Sequence, residues 1–271
     1  SNYGAAAWTA LAELQFVGTV AADVADLNLN VVSSGNDLQI SWDSQAGKLY
    51  NLRSDDDLQP EPEQWAIHGM NENIEATPPR NTLTIPRSAA DELFFVIEEF
   101  SKPPTSVFED DFEGGQGTWV ASVEDANGNT LWELGTPENF GPPAANSGAN
   151  CFGTNIGAAY AADSIISLVS PVVDLTTATG ADLSYFDFRD IELMFDTGTV
   201  NVLDAGDDSL IAEITTEIDG NSDWTQRSHS VPAAALGKNV KFEWRFIADT
   251  INVMDQAGWY LDDVNVTAVV P

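Results

Sequence analysis

Carboxylates dominate the side chains able to do chemistry: the 271-residue chain carries 43 Asp and Glu against 10 Lys and Arg. Carboxylates serve as general acid–base pairs, as ligands for hard cations, or as hydrogen-bond acceptors. A glycosidase needs two of them flanking a cleft, and no segment singles out such a pair. Histidine is scarce. His68 and His229 belong neither to an HExxH motif nor to any histidine-pair zinc spacing. There is no GxSxG elbow, no phosphate-cradling glycine loop and no strand–helix repeat. His229, in QRSHSV, alternates with Ser228 and Ser230 and reads as a surface strand residue. Cys151, alone in the chain, can form no internal disulfide, and its setting in GANCFGTN is that of a buried small hydrophobe rather than a nucleophile.

Two acidic segments stand out. In GWYLDDVNV, strand alternation puts Tyr260, Asp262, Val264 and Val266 on one face and Leu261, Asp263 and Asn265 on the other. Asp262 then lies in line with apolar neighbours. In VFEDDFE, Asp110 falls between Phe108 and Phe112 in the same way. An inward carboxylate is costly unless paired or metal-bound. A structural calcium held by Asp110, Asp111, Glu113, Asp262 and Asp263 is one expectation. Solvated strand-end aspartates, or carboxylates bonded to loop amides, are the others. EDANGNTLWEL is not an EF-hand loop: counted from Asp125, its sixth residue is Thr130 and its twelfth Thr136, where that loop needs Gly and Glu. Asn127–Gly128 is expected instead as a type I′ hairpin turn.

A second candidate site is aromatic. Tyr185, Phe186, Phe188 and Trp224 are the rings able to stack on a ligand if the sheet exposes them. Trp224 leads, because it follows the polar turn DGNSD and has no apolar neighbour within two residues. Trp119, Trp132 and Trp259 sit near strand ends and are assigned to core packing.

The elements that must position these groups are strands. DLQISW and NTLTIP alternate apolar and polar residues, and ELFFVIEEF is a β-rich run. KFEWRFI puts Phe242, Trp244 and Phe246 on one face and Lys241, Glu243 and Arg245 on the other. No long 3.6-residue period occurs; AADEL (89–93) and AAAL (233–236) allow only short helical turns. Gly258 before Trp259 marks a tight turn with close backbone approach. SKPPTS (101–106) reads as an extended linker. The expected organisation is a remnant strand and linker of a preceding module (1–26), a small sandwich (27–100), the linker, and a larger sandwich (107–271). The fold class is all-β, two tandem sandwiches.

Three resemblances follow this division. Residues 27–100, through LQISWDSQAGKLYNLRSDDDL, QWAI and ELFFVIEEF, resemble the fibronectin-III-like domains of secreted bacterial proteins. Residues 107–269 resemble the MAM-like jelly-roll on the C-terminal side of immune-inhibitor-A-type proteins. The motifs are FEDDFEGG, WELGTP, GPPAANSGANCFGTNIGAAY, LVSPVVDL, RDIELMFDTGTVNV and GWYLDDVNV. LDAGDDS (203–209) replaces the serine–aspartate–glycine–glycine turn frequent in that family. Residues 1–18, ending in AELQFVG, resemble the last strand of a discoidin-like domain. The MAM-like resemblance implies that the first and last strands are neighbours, often with structural calcium between them. Together with the discoidin-like one it implies a glycan-binding or surface-binding accessory module.

A formal charge of −33 repels nucleic acid and anionic lipid, and serves solubility in a salty medium. The 43% hydrophobic content excludes a disordered chain, and no apolar run reaches the ~18 residues of a membrane span. The chain reads as a piece of a larger, multidomain extracellular or cell-surface protein. Its expected partner is a glycan, neutral or bridged by cations, or a cell-surface protein. A structural spacer, or an accessory segment of a secreted peptidase or glycoside hydrolase, are the alternatives. The purified chain should show no peptidase or glycosidase turnover on casein or chromogenic glycosides; turnover abolished by one substitution in the chain would overturn the non-catalytic reading.

Overall fold

The computed structural model describes residues 27–88, 92–138, 140–251 and 255–270. The expected remnant strand at 1–18 and the first part of AADEL lie outside the described residues. The chain divides into two compact units at Lys102 and Pro103.

The first unit holds β1 (Asn30–Ser34), β2 (Asp37–Asp43), β3 (Lys48–Asp55), β4 (Ala66–Ile67), β5 (Ile74–Glu75), β6 (Arg80–Pro86) and β7 (Phe94–Ser101). They form a β1-β2-β6 sheet and a second sheet in which β3 pairs with β4, β5 and β7. The alternation of DLQISWD sends Ile40 and Trp42 inward to meet Tyr50, Leu52, Ile85 and Ile97. Trp42 meets Tyr50 edge-on at 5.6 Å, an arrangement that aromatic quadrupoles favour.

The second unit holds β8 (Thr105–Asp110), β9 (Val120–Val123), β10 (Trp132–Gly135), β11 (Cys151–Thr154), β12 (Ile165–Val169), β13 (Val173–Asp174), β14 (Gly180–Ile191), β15 (Thr197–Asp204), β16 (Leu210–Ile218), β17 (Gly220–Ser230), β18 (Asn239–Ile247) and β19 (Gly258–Val269). One sheet runs β10-β11-β19-β14-β17, with β8 on β19; the other runs β16-β15-β18-β12-β9, with β13 on β18. The steps β14 to β15, β16 to β17 and β18 to β19 each change sheet. A short 3₁₀ turn at Ala233–Ala235 is the helical piece expected in AAAL.

Between the two sheets lies one aromatic core. Trp244 of β18 packs against Trp119 at 5.7 Å and Tyr185 at 5.5 Å. Trp132 meets Trp259 at 5.7 Å, and Phe112 meets Phe152 at 5.0 Å. All three tryptophans assigned to the core from sequence are buried in it.

Four local expectations need correction. Asn127–Gly128 does not turn a hairpin, because β9 and β10 lie in different sheets. The Asp125 carboxylate accepts the N–H groups of Asn127 and Gly128 and shapes a crossing loop instead. His229 faces inward, stacked on Tyr185 at 5.7 Å, because it pairs with core residue Leu183. The linker is shorter than SKPPTS, since β7 runs through Ser101 and β8 begins at Thr105. The faces of the last strand also change partway along it. Trp259 and Leu261 point into the core, and so do Val264, Val266 and Ala268. The shift comes from a bulge, seen as a register break against β14, with Asp263 at φ 48°. Tyr260 and Asp262 therefore share the outer face of the sheet, opposite Val264 and Val266.

Gly258 meets its expectation. It has φ 91°, and a Cβ there would overlap the Thr154 hydroxyl. Replacing Trp244 by Ala should destabilise this unit by about 3–5 kcal/mol, measured as a shift of its urea-unfolding midpoint.

Candidate functional site

Three of the five carboxylates expected around a cation, Asp262, Asp263 and Glu113, meet the loop at 146–150, and Asp110 and Asp111 do not. After the bulge, Val264 pairs with Asp110, so the first and last strands of the unit are neighbours. The Asp262 side chain is fully buried beneath residues 146–147. It accepts the N–H groups of Asn146 at 2.9 Å, Ser147 at 3.2 Å and Asp263 at 2.8 Å. Burial, helped by the charge of Asp263, pushes its carboxyl up to about 7, against the pull of those N–H groups.

Asp263 accepts from the Asn146 amide at 2.6 Å and the Ser147 hydroxyl at 2.7 Å. Glu113 accepts the N–H groups of Ala149 and Asn150 at 2.8 and 2.7 Å. Gly148 lets it approach: φ is 54°, and a Cβ there would strike the Glu113 carboxyl. Asp110 accepts from the Phe112 N–H and the Trp119 indole, and Asp111 from the Glu113 N–H. Each of the five thus has protein donors. Among the described residues no group of three or more His, Cys, Asp or Glu side chains is placed to hold one ion.

The four candidate aromatics divide between two faces. Tyr185 is a core residue with no exposed surface, which removes it as a stacking platform; its neighbour Leu183 shows that this is the inward face. Phe186 and Phe188 alternate to the outer face. Phe188 packs on Tyr260 and Trp224 at 5.9 and 6.2 Å. Trp224 is half-buried, and its indole N–H donates to the Ala144 carbonyl at 2.9 Å. These rings pin the 140–150 segment onto the sheet, next to Cys151, which is wholly buried. Burial pushes that thiol's pKa up, so the inert reading of Cys151 fits. Phe186 is the remaining ring, half-buried beside Gln226.

A further candidate site lies on the outer face of the other sheet. It is a groove of about 450 Å³ lined from all five principal strands. The row across it follows the register: Val120 faces Val169, Val169 faces Glu243, and Glu243 faces Asn201. Lys241 and Arg245 flank Glu243 on the same face of β18. Lys241 pairs with Asp208 at 2.6 Å, and Arg245 with both oxygens of Glu124. Val120 and Leu210, both exposed, form apolar rims on the two edge strands.

Asn201 is the unusual member. It is 6% exposed, and its amide nitrogen donates to Glu243 at 2.8 Å. That bond fixes the amide's orientation, because a flip would set oxygen against carboxylate. Its Oδ1 is left buried without a donor, a condition that costs about 1–3 kcal/mol. The alternation of KFEWRFI was the signal for half of this groove. Nothing local links Asn201 or Val120 to it.

No family model matches the chain. It is 32% identical over 161 residues to Bacillopeptidase F of Bacillus subtilis (strain 168); the match covers 59% of this chain and 10% of that protein, so the chain spans about a tenth of its relative's length. The K1 cleaved adhesin domain of Lys-gingipain from Porphyromonas gingivalis W83 is similar over 60% of this chain and 98% of its own, at 20% identity and TM-score 0.45. The CBM22-1–CBM22-2 tandem of Xyn10C from Paenibacillus barcinonensis is similar over 88% of this chain and 80% of its own, at 14% identity and TM-score 0.39. The strands and registers above define the class directly: an all-β chain of two sandwich units. No described helix is long and apolar enough to cross a membrane.

Proposed function

We propose that this chain is a non-catalytic accessory module of a larger extracellular protein, and that its second unit binds a neutral glycan in the groove of the β16-β15-β18-β12-β9 sheet. The observation that supports this most is the polar row Lys241, Glu243 and Arg245 on the groove floor between the exposed apolar rims Val120 and Leu210. A sugar hydroxyl is both donor and acceptor, so one hydroxyl can donate to the Glu243 carboxylate, which the Asn201 amide positions, while another accepts from the Lys241 or Arg245 side chain. Val120, Val169 and Leu210 offer apolar surface to sugar C–H faces. The ion pairs of Lys241 and Arg245 leave little positive charge to hold sulfate or uronate. The likeness to Bacillopeptidase F supports a secreted peptidase as the parent protein. In that setting the groove would attach the parent to a polysaccharide surface.

Affinity electrophoresis through soluble neutral polysaccharides, with polygalacturonate as the acidic comparison, tests the groove. Retardation should be lost in Asn201→Val, which should melt at or above the parent temperature because it removes an unsatisfied polar group. Trp224→Ala should lower the melting temperature and leave the binding constant unchanged. Binding abolished by Trp224→Ala and kept by Asn201→Val would move the site to the outer face of the β10-β11-β19-β14-β17 sheet. Retention of the parent chain by no polysaccharide would leave a structural spacer as the better reading.

A structural calcium belongs to the same proposal in a narrower form. Of the five expected carboxylates, Asp110, Asp111, Asp262 and Glu113 face N–H donors whose positions the chain fixes. Asp263 faces an amide and a hydroxyl that can each rotate an oxygen into place. Asp263, Asn146 and Ser147 would therefore hold the ion, with water completing the six to eight oxygens calcium takes. Calcium at millimolar concentration should raise the melting temperature of the second unit by several degrees. The rise should vanish in Asp263→Ala, and equal melting in calcium and in chelator would sink the idea.

A further inference from the structure

We propose that the turn joining β14 to β15 is a rigid apolar prong that docks into a protein partner presenting an apolar pocket bordered by Lys and Arg. Leu193, Met194 and Phe195 are consecutive, large and apolar, and they are 61%, 81% and 63% exposed. Ile251, in the β18–β19 connection, adds a fourth exposed apolar side chain. The two loops are joined, since the Asp249 N–H donates to Asp196 at 2.7 Å. Single exposed apolar residues are ordinary on a protein surface. A run of three on one turn costs solubility and calls for an occupant.

The turn is held from beneath. Asp196 is buried and accepts the Tyr160 hydroxyl as well as the Asp249 N–H. The Tyr160 oxygen accepts the Glu192 N–H at 3.1 Å, and the Asp196 N–H donates to the Glu192 carbonyl at 3.2 Å. The Met194 N–H donates to the Asp219 carboxylate at 2.9 Å. Met194 itself sits at φ 71°, in the left-handed region that side chains disfavour. The fold thus keeps an unfavourable backbone in order to present three apolar side chains outward. Because the turn is already ordered, little conformational entropy is lost on docking.

Charge selects the occupant. Glu192, Asp219 and Asp249 flank the turn at half-buried positions, Asp196 is buried beneath it, and the whole chain carries −33. A second copy brings the same charge to the contact, and an anionic bilayer repels it. An apolar pocket with a basic border satisfies both the prong and its acidic surroundings. Met and Phe are suited to such a pocket, being enriched in interface cores. This inference is independent of the glycan groove.

Panning a random dodecapeptide display library on the immobilised 271-residue chain tests it. Enriched peptides should combine apolar residues with Lys or Arg. The triple variant L193S/M194S/F195S should bind them at least tenfold more weakly at the parent melting temperature. Met194→Gly suits the backbone and removes one side chain; it should weaken binding severalfold without loss of stability, which guards against misfolding of the triple variant. Peptides that bind the triple variant as tightly as the parent would overturn the proposal. So would parent-specific sedimentation with phosphatidylcholine vesicles, which makes the occupant a bilayer, or a parent-specific dimer in analytical ultracentrifugation, which makes it a second copy.

Discussion

The alternation of β18 is the constraint on which the second unit depends. Its pleat puts Phe242, Trp244 and Phe246 into the inter-sheet core, where all three are fully buried. The same pleat puts Lys241, Glu243 and Arg245 on the floor of the groove. β18 is paired on both sides, to β15 and to β12. A slip of one residue would bury three charges and expose three aromatic rings at once. The register that protects the core is therefore the register that assembles the groove. Asn201 meets Glu243 only because Val200 and Val202 must face the core on either side of it.

A second constraint is what to do with buried carboxylates when basic residues are few. Two cases show two solutions. Asp187, fully buried, accepts from Arg189 at 2.6 Å, Arg227 at 2.8 Å and the Trp259 indole at 3.2 Å. That arrangement uses two of the ten basic side chains on one acid. Asp262 has no cation beside it among the described ion pairs and is held by three backbone N–H groups instead. The N–H solution consumes no side chain, but it requires a loop folded down over the acid. That is why the segment around residue 146 closes over the sheet, and why Phe188, Tyr260 and Trp224 are covered by it rather than offered to solvent.

Much of the architecture was legible because strand patterning is local. β2, β6, β7 and β18 follow from alternation or β-rich runs in single short segments, and the core tryptophans from their placement near strand ends. The last strand was misread at one point, since a bulge leaves no mark in the residue types: Asp262–Asp263 looks like any other pair in an alternating strand. The convergence of Asp110, Glu113 and Asp262 on one region was legible through the neighbouring first and last strands. Their satisfaction by loop amides is not legible in the residue types, because for Asp262 it depends on the N–H groups of Asn146 and Ser147, more than a hundred residues away. The groove was invisible for the same reason. Its row joins Val120, Val169, Asn201 and Glu243, which only the sheet register brings side by side. The aromatic candidates were recognised as rings, but whether a ring faces in or out is a property of the pairing.

Charge then limits which surfaces can bind at all. With 43 acids and 10 bases, most of the surface repels anions and attracts only counterions. Two regions escape this rule. In the groove, Lys241 and Arg245 are matched by Asp208 and Glu124, so the proposed glycan contact would rest on hydrogen bonding rather than on net charge. At the β14–β15 turn, contact would come from apolar area on a pre-ordered backbone. Both modes draw on short-range terms that salt screens little, unlike steering between exposed charges. If the two proposed sites bind, a strongly acidic chain would rely on these two means, one on a sheet face and the other at a turn.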